Sequence, residues 1–244
     1  MIKYKVYIKA MFFLMLLVGL FSFSQYRNAK RKVSKPSIRF KEGDNLFITR
    51  KEVNKLLIQS YDNTKISTKE NLNLKVLEKG ILKSEMIENA EVYVSVDGKL
   101  QVEITQRKPI FRIKVNDASY YLDDKGKKMP LSKNYAARVP IVTGVQSDLN
   151  IKQLYSFYKK VWKDAFMQKQ IVGINITNTD EFELKTRIGN HVIEFGKLQR
   201  VAEKLQKIKV FYKKALADNT YNKYKKINVK YRNQVVCTKK ELGS

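Results

Sequence analysis

The segment "AEVYVSVDGKLQVEITQR", residues 90–107, decides the fold because apolar and polar residues alternate on both sides of Asp97-Gly98. Val92, Val94 and Val96 alternate with more polar residues before this pair, and three aliphatic residues do so after it. A period of two predicts strands with one buried face, and Asp-Gly favours a two-residue hairpin turn. The segment therefore predicts a β-hairpin.

A strand and two helices are predicted upstream of the hairpin. Ile38 and Phe40 alternate with polar neighbours, and residues 41–44 indicate a turn. Thr49 and Glu52 have the spacing of a capping box, and the helix that follows has the inner face Val53, Leu56, Leu57 and Tyr61. A second helix is predicted over residues 72–90, with the apolar stripe Leu74, Leu77, Ile81 and Leu82. This order favours a three-stranded sheet with both helices on one face.

Beyond Pro109, short strand candidates bounded by turn residues are mixed with two helices. The helices are predicted over residues 148–168, capped by Asp148, and over 196–217. The strands are predicted over residues 110–116, 119–124, 139–144, 171–177, 181–187, 191–196 and, as one last long strand, 224–240. The fold class is therefore α+β, with a mixed β domain after the smaller sheet.

The N-terminus carries an uncharged run, "AMFFLMLLVGLFSFS", between two basic segments. It is short of the ~20 residues of a bilayer span, but flanking lysines can snorkel to the headgroups. We expect a retained anchor; the alternative is a cleaved signal peptide, with Ser22 and Ser24 as the small residues. The predicted parts are a cytoplasmic tail at 1–9, an anchor at 10–24 and a basic linker at 25–36. The anchor residues are Phe12, Phe13, Leu14, Leu16, Leu17, Val18, Leu20 and Phe21.

The charge balance is strongly basic, with 49 Lys+Arg against 23 Asp+Glu, a formal net charge of +26. Such an excess indicates an anionic neighbour or only a well-solvated surface. Long domains translocate largely regardless of charge, so we expect the C-terminal part to be exported. An exported domain does not meet the chromosome, which leaves anionic lipid or an acidic protein as the partner and argues against nucleic acid.

Candidate catalytic groups are few. Asp123 and Asp124 are adjacent in "YYLDDKGKKMPLSKNYAARVPIVTG", residues 120–144, and neighbouring strand residues point to opposite faces, so a polar turn is favoured over a catalytic pair. His191 is the only histidine and Cys237 the only cysteine, which excludes a Cys/His zinc cluster and an intramolecular disulfide. We expect His191 at the surface or a sheet edge and Cys237 as a buried or half-buried strand thiol. The sequence also lacks a nucleophile elbow, a phosphate loop and a dinucleotide-binding glycine run. It predicts no enzymatic activity, no cofactor and no small-molecule substrate.

The last predicted strand is the main candidate for partner binding. Its near-terminal position suggests a sheet edge, whose unpaired backbone groups a partner strand can complete. Lysine and arginine around it (Lys223, Lys225, Lys226, Lys230, Arg232) would suit an acidic partner, although they can equally blunt an ordinary edge. A second candidate surface, or merely a solvated face, is formed by Arg50, Lys51 and Lys55 on the first helix. In the last strand, one predicted face is Val229, Tyr231, Asn233 and Val235, and the other is Lys230, Arg232 and Gln234.

The order of the predicted segments and their motifs together resemble the FtsQ/DivIB family of bacterial cell-division proteins over essentially the whole chain. Residues 98–113 resemble the family's passage from a POTRA domain to a β domain, with Arg107 and Pro109 as its Arg-x-Pro step. Residues 120–132 resemble its aromatic-hydrophobic-Asp-x-x-Gly hairpin, and 137–144 its Pro-containing strand. Residues 227–237 resemble its final strand, with Asn228 and Lys230 in place of the usual acid and arginine.

The resemblance implies a POTRA-like domain at 37–107 and a β domain at 108–244. It implies a single-pass inner-membrane scaffold at the division septum, with a cytoplasmic N-terminus and a periplasmic C-terminal domain. The FtsB–FtsL pair would dock on the last strand and the preceding helix. Two alternatives are a POTRA-containing chaperone-like module of outer-membrane protein assembly and a periplasmic wall-modifying enzyme.

Overall fold

The computed structural model describes residues 2–29, 34–41, 47–62, 72–95, 97–162 and 164–240. The chain divides into two compact units, Met1–Gln106 and Arg107–Ser244. The predicted turn at 42–44 and Val96 lie outside the described residues, as does the side chain of Tyr61. Each unit is described by itself below.

The first unit begins with one continuous helix, α1 (Ile2–Ala29). Its segment Tyr7–Arg27 has 21 residues and a mean hydropathy of 1.9, which makes it long and apolar enough to cross a membrane. All eight predicted anchor residues lie on this helix and are exposed. Soluble proteins rarely expose so large a continuous apolar surface to water, so this helix fits an N-terminal transmembrane helix.

The rest of the first unit is a three-stranded sheet with two helices, in the predicted order. The strands run β1-β3-β2, with β1 parallel and β2 antiparallel to β3. Its elements are β1 (Ser34–Phe40), α2 (Arg50–Asp62), α3 (Leu74–Ile81), β2 (Ile87–Val94) and β3 (Lys99–Gln106).

The predicted capping box of α2 is confirmed. The Glu52 amide donates to the Thr49 hydroxyl at 3.2 Å, and the Thr49 amide donates to the Glu52 carboxylate at 2.7 Å. Val53 and Leu57 are fully buried and pack with the apolar side chains of α3 and of the strands. The helix therefore starts where the sequence places it, and it buries Val53 and Leu57 of the predicted face, with Leu56 half-buried.

Two predictions in this unit are wrong in their bounds. The second helix ends at Ile81 rather than running to residue 90, because residues 87–90 pair with Gln106, Thr105 and Ile104 of β3. The hairpin loop is one residue longer than predicted. Ser95 and Lys99 face each other across it, and Gly98 closes it with a φ of 83°, a conformation that glycine adopts without strain.

The second unit contains, among the described residues, nine strands and three α-helices. The sheet order is β12-β11-β10-β9-β8-β7-β4-β5-β6, so β12 and β6 are its edges. The strands are β4 (Pro109–Val115), β5 (Ala118–Asp123), β6 (Lys128–Met129), β7 (Ile141–Thr143), β8 (Ile171–Ile176), β9 (Phe182–Thr186), β10 (Val192–Gly196), β11 (Tyr224–Asn228) and β12 (Val236–Lys239). The helices are α4 (Asp148–Val161), α5 (Ala165–Gln170) and α6 (Val201–Ala217).

Paired positions across this sheet form one continuous apolar row. Its members are at most 2 % exposed and pair strand to strand: Ile113, Val142, Ile174, Leu184, Ile193 and Ile227. At the edge, Ile227 pairs with Cys237 of β12. The adjacent row, one residue earlier on most strands, is Arg112, Ile141, Gly173, Lys185, Val192 and Lys226. Alternation along each strand thus directs one row to the helices and the other away from them.

The helices of this unit differ from the prediction. The helix predicted over 148–168 divides into α4 and α5, because the Asp164 carboxylate accepts the amides of Phe166 and Met167 and starts a new helix. The N-cap of α4 is Ser147 rather than Asp148. Helix α6 begins at Val201, not at residue 196. Among the described residues of this unit there are thus three α-helices where two were predicted. The two-residue strand β6 was not predicted.

Candidate partner-binding site

The predicted last strand is not one strand, and this is the main correction to the candidate site. Residues 229–235, which we call the terminal loop, connect β11 to β12. The Asn228 side chain accepts the amide of Lys230 at 3.0 Å, and Asn233 has a φ of 53°. Both are turn conformations in which asparagine is favoured over other residues. The chain therefore reverses inside the predicted strand and returns antiparallel as β12.

The reversal changes which side chains a partner can reach. Val229 is fully buried, whereas Tyr231 is 50 % exposed, so these two residues do not share a face. Lys230 forms an ion pair with Glu181 at 3.1 Å, which raises the pKa of the lysine. Arg232, Asn233 and Gln234 are exposed and Val235 is half-buried. Of the seven predicted residues, six remain accessible and Val229 belongs to the core.

A groove of about 580 Å³ lies between helix α6, the terminal loop and β12. The terminal loop contributes Asn233, Gln234 and Val235 to its wall. The remaining lining residues are Glu203, Gln206, Lys207, Val210, Phe211, Lys214, Ala215, Asp218, Thr220, Tyr224 and Cys237. Three of the seven predicted binding residues therefore meet in one concave surface, beside the helix that precedes β11.

The floor of the groove is apolar and continues the core. Cys237 is half-buried and pairs with Ile227 at the end of the apolar row. The ring of Phe211 packs against that of Tyr224, with centroids 5.5 Å apart. Burial raises the pKa of the Cys237 thiol, so it stays protonated and behaves as a small apolar residue. The prediction of a half-buried strand thiol is confirmed.

Two cations, Arg200 at the N-cap of α6 and Lys207 within the helix, hold the terminal loop in place. Arg200 donates to the carbonyl of Lys230 at 3.1 Å, and Lys207 donates to the carbonyl of Tyr231 at 2.5 Å. Both cations also contact Glu203, and the hydrogen bond from Lys207 is the largest cause that lowers the pKa of this carboxyl group. The loop that forms the groove wall is thus fixed through its backbone, which leaves its side chains available.

Strand β12 is an open edge within the described residues. The Lys240 amide donates to the Lys223 carbonyl, towards β11, so alternation points the amides of Lys239 and Cys237 away from the sheet. No side chain in the described part of the chain bonds these outward groups. A partner strand could therefore pair with β12 while its side chains enter the groove.

The remaining candidate groups have structural roles. Asp123 is 2 % exposed, and its carboxylate accepts the amides of Lys125 and Lys127 at 3.0 and 2.7 Å. It closes the turn that was predicted over residues 123–127, with Gly126 at positive φ. The carbonyl of Asp124 accepts the hydroxyl of Tyr155. The Asp123 carboxylate therefore bonds the backbone of this turn, which fits the predicted polar turn.

The position predicted for His191 is wrong. This side chain is 1 % exposed and lies beneath α6, where its Nε2 is 2.5 Å from the hydroxyl of Tyr212. Burial lowers the pKa of His191, and the nearby Lys240 lowers it further. Its burial depends on a tyrosine 21 residues later in the chain, which no local pattern indicates. Among the described residues, no group of three or more His, Cys, Asp or Glu side chains could hold a metal ion.

Comparison with known proteins yields matches to two family models and to several solved structures. The model described as "FtsQ/DivIB, C-terminal related" matches residues 108–238, and a POTRA-like domain model matches residues 37–105. The chain is also similar to the major extracytoplasmic domain of the trans isomer of the cell division protein DivIB from Geobacillus stearothermophilus. That match has 13% identity and a TM-score of 0.34, and it covers 47% of this chain and 96% of that chain. No curated protein matches the sequence significantly.

Proposed function

The chain belongs to the FtsQ/DivIB family of cell-division proteins, and on this premise we propose that it is a scaffold that links early and late division proteins at the septum. It acts by protein–protein contacts and catalyses no reaction. The observation that supports this role is the open edge β12 beside an apolar groove. An edge provides backbone pairing and a groove provides side-chain pockets, which together are the requirements of strand addition.

The partner we propose for this surface is the FtsB–FtsL pair. One of its segments would pair with β12 through the outward amides of Cys237 and Lys239. Its apolar side chains would then lie against Phe211, Tyr224 and Val235. Tyr231 is exposed in the terminal loop, and tyrosine is a residue type enriched in the hot spots of protein–protein interfaces.

The helix α1 gives the scaffold its location. We place residues 1–9 in the cytoplasm, 10–24 in the inner membrane, and the POTRA-like domain (37–107) and β domain (108–244) in the periplasm. The linker at 25–36 carries arginine and lysine, which favours contact with anionic headgroups. Confinement to one membrane raises the effective concentration of bound partners at the septum.

A matched pair of substitutions on one strand end tests the docking surface. Val235 lines the groove, whereas its neighbour Val236 is 44 % exposed and is not part of the groove lining. In Val235→Asp a carboxylate enters an apolar contact, and we expect the affinity of full-length protein in nanodiscs for the soluble FtsB–FtsL periplasmic segments to fall by about 30-fold or more. Val236→Asp should change it less than about threefold.

Unfolding curves of both variants accompany the binding titrations. Equal affinity of the two variants, with both folded, would remove the groove from the interface and overturn the proposed docking site. If Val235→Asp does not fold, Tyr231→Ala replaces it as the test, because the exposed Tyr231 side chain contributes little to folding. Unchanged affinity in that variant also overturns the site.

A further inference from the structure

Five exposed cations come together at one end of the β domain. Arg187 lies in the connection between β9 and β10, and Lys223 precedes β11. Lys225 lies on β11, Lys239 ends β12, and Lys240 follows it. We call these five residues the basic end.

Backbone contacts show that these segments are neighbours. The amide of Lys240 donates to the carbonyl of Lys223 at 2.9 Å, and the Lys240 ammonium donates to the carbonyl of Gly189 at 3.4 Å. Gly189 lies two residues after Arg187 in the same connection. Four consecutive parts of the sheet thus present positive charge at one place.

The basic end has no internal counter-charge in the described part of the chain. Neighbouring lysines do find carboxylates: Lys226 contacts Glu194 at 3.0 Å, and Lys230 contacts Glu181 at 3.1 Å. None of the five residues of the basic end forms an ion pair with a described residue. Five unneutralised like charges in one place repel each other, and an anionic partner relieves that repulsion.

The basic end is continuous with the docking groove. Tyr224 lines the groove and pairs with Lys239. Cys237 also lines it, and Lys239 is two residues further along the same strand, so its side chain points to the same side as Cys237. A segment that adds to β12 and follows the groove floor leaves the sheet at this end.

We propose that the basic end binds an acidic stretch of the partner protein that docks in the groove, directly beyond the strand added to β12. This inference rests on the proposed function and names the chemistry of the partner. We favour a protein over lipid because the basic end adjoins the open edge β12 and the apolar groove. A strand edge pairs with a peptide backbone, which an anionic membrane does not provide. Charge attraction at the rim of an interface acts mainly on the association rate and its salt dependence.

The test reverses two charges that lie outside the groove lining and off the edge strand. We compare Arg187→Glu/Lys225→Glu with a control, Lys114→Glu/Lys152→Glu, which reverses two exposed and unpaired lysines on β4 and α4. Full-length proteins in zwitterionic nanodiscs are titrated with the soluble FtsB–FtsL periplasmic segments at about 0.05 M and about 0.3 M NaCl. We expect the basic-end variant to bind at least about tenfold more weakly at low salt, through slower association, and to lose most of its salt dependence. The control should stay within about twofold of the unmodified protein.

Equal effects in the two double variants, or no effect in either, would overturn the inference. Weaker binding of the basic-end variant to vesicles containing about a third anionic lipid, with unchanged protein binding, would assign the surface to lipid and also overturn it. The proposed function is judged separately by Val235→Asp: if that variant loses the partner while the basic-end variant keeps it, only the present inference fails.

Discussion

Two edge strands of this molecule, β2 in the POTRA-like unit and β12 in the β domain, differ in how accessible their backbones are. On β2 the outward amide of Val92 donates to the carboxylate of Glu78 on α3, at 3.1 Å. On β12 the outward amides of Cys237 and Lys239 have no such partner among the described residues. One edge is therefore partly closed by its own helix, and the other is left open to a second chain.

The helices beside these edges use their charges differently. Glu78 of α3 reaches the strand itself. Arg200 at the N-cap of α6 and Lys207 within it instead bond the carbonyls of the terminal loop. They leave the outward amides of β12 without a partner among the described residues. The same chemistry, a charged side chain bonded to backbone, blocks one edge and shapes a groove next to the other. The comparison indicates that availability of an edge is set by the neighbouring helix rather than by the strand.

Removing the block on β2 should have the larger effect on stability. Glu78→Ala leaves a part-buried amide without its partner, and we expect the free energy of unfolding of the POTRA-like unit to fall by about 1–2 kcal/mol. Glu85→Ala, an exposed acid in the turn after α3, is the control and should cost less than about 0.5 kcal/mol. Denaturant unfolding of the full-length protein in detergent, followed by circular dichroism, measures both. Equal stability of the two variants would show that Glu78 does not secure this edge.

A smaller difference between the two units should appear in the pH dependence of their stability at mildly acid pH. The only histidine is His191, and its folded-state pKa lies below the ordinary 6.5 because of burial and, secondarily, Lys240. The unfolded chain therefore binds a proton first as pH falls below about 6.5, so the β domain loses stability until the lower folded pKa is passed. The POTRA-like unit has no histidine and should not respond in this window.

His191→Gln is the check on this pH effect. The variant should lose the part of the pH dependence between about pH 6.5 and the lowered folded value, whatever it does to stability at neutral pH. Unfolding free energies measured at several pH values give this slope. A slope that is the same in the variant and the unmodified protein would assign the effect to other groups.

The sequence predicted those elements whose signals are local. Period-two alternation located the strands β2 and β3, and short segments bounded by turn residues located six strands of the second unit. Thr49 with Glu52 located the start of α2. The errors arise where a residue's conformation or burial depends on residues far away in the sequence. Residues 87–90 continue a helical pattern but pair with β3, and His191 is buried only because Tyr212 covers it.

The last strand was predicted as one element, and the structure shows two strands joined by the terminal loop. A run of β-favouring residues from Ile227 to Cys237 concealed a reversal that Asn228 and Asn233 bring about. These asparagines were the available signal for a turn. The groove is formed by residues of α6, the terminal loop and β12 together. Residue spacing along one strand cannot predict side chains that meet only in the folded chain.

Hydrogen exchange on the full-length protein, with and without the FtsB–FtsL segments, tests the contrast between the two edges most directly. We predict that the partner slows exchange of the Cys237 and Lys239 amides by about tenfold or more and leaves that of Val92 unchanged. Protection at Val92 with none at Cys237 and Lys239 would contradict the account, because the partner would then be using the edge that Glu78 closes.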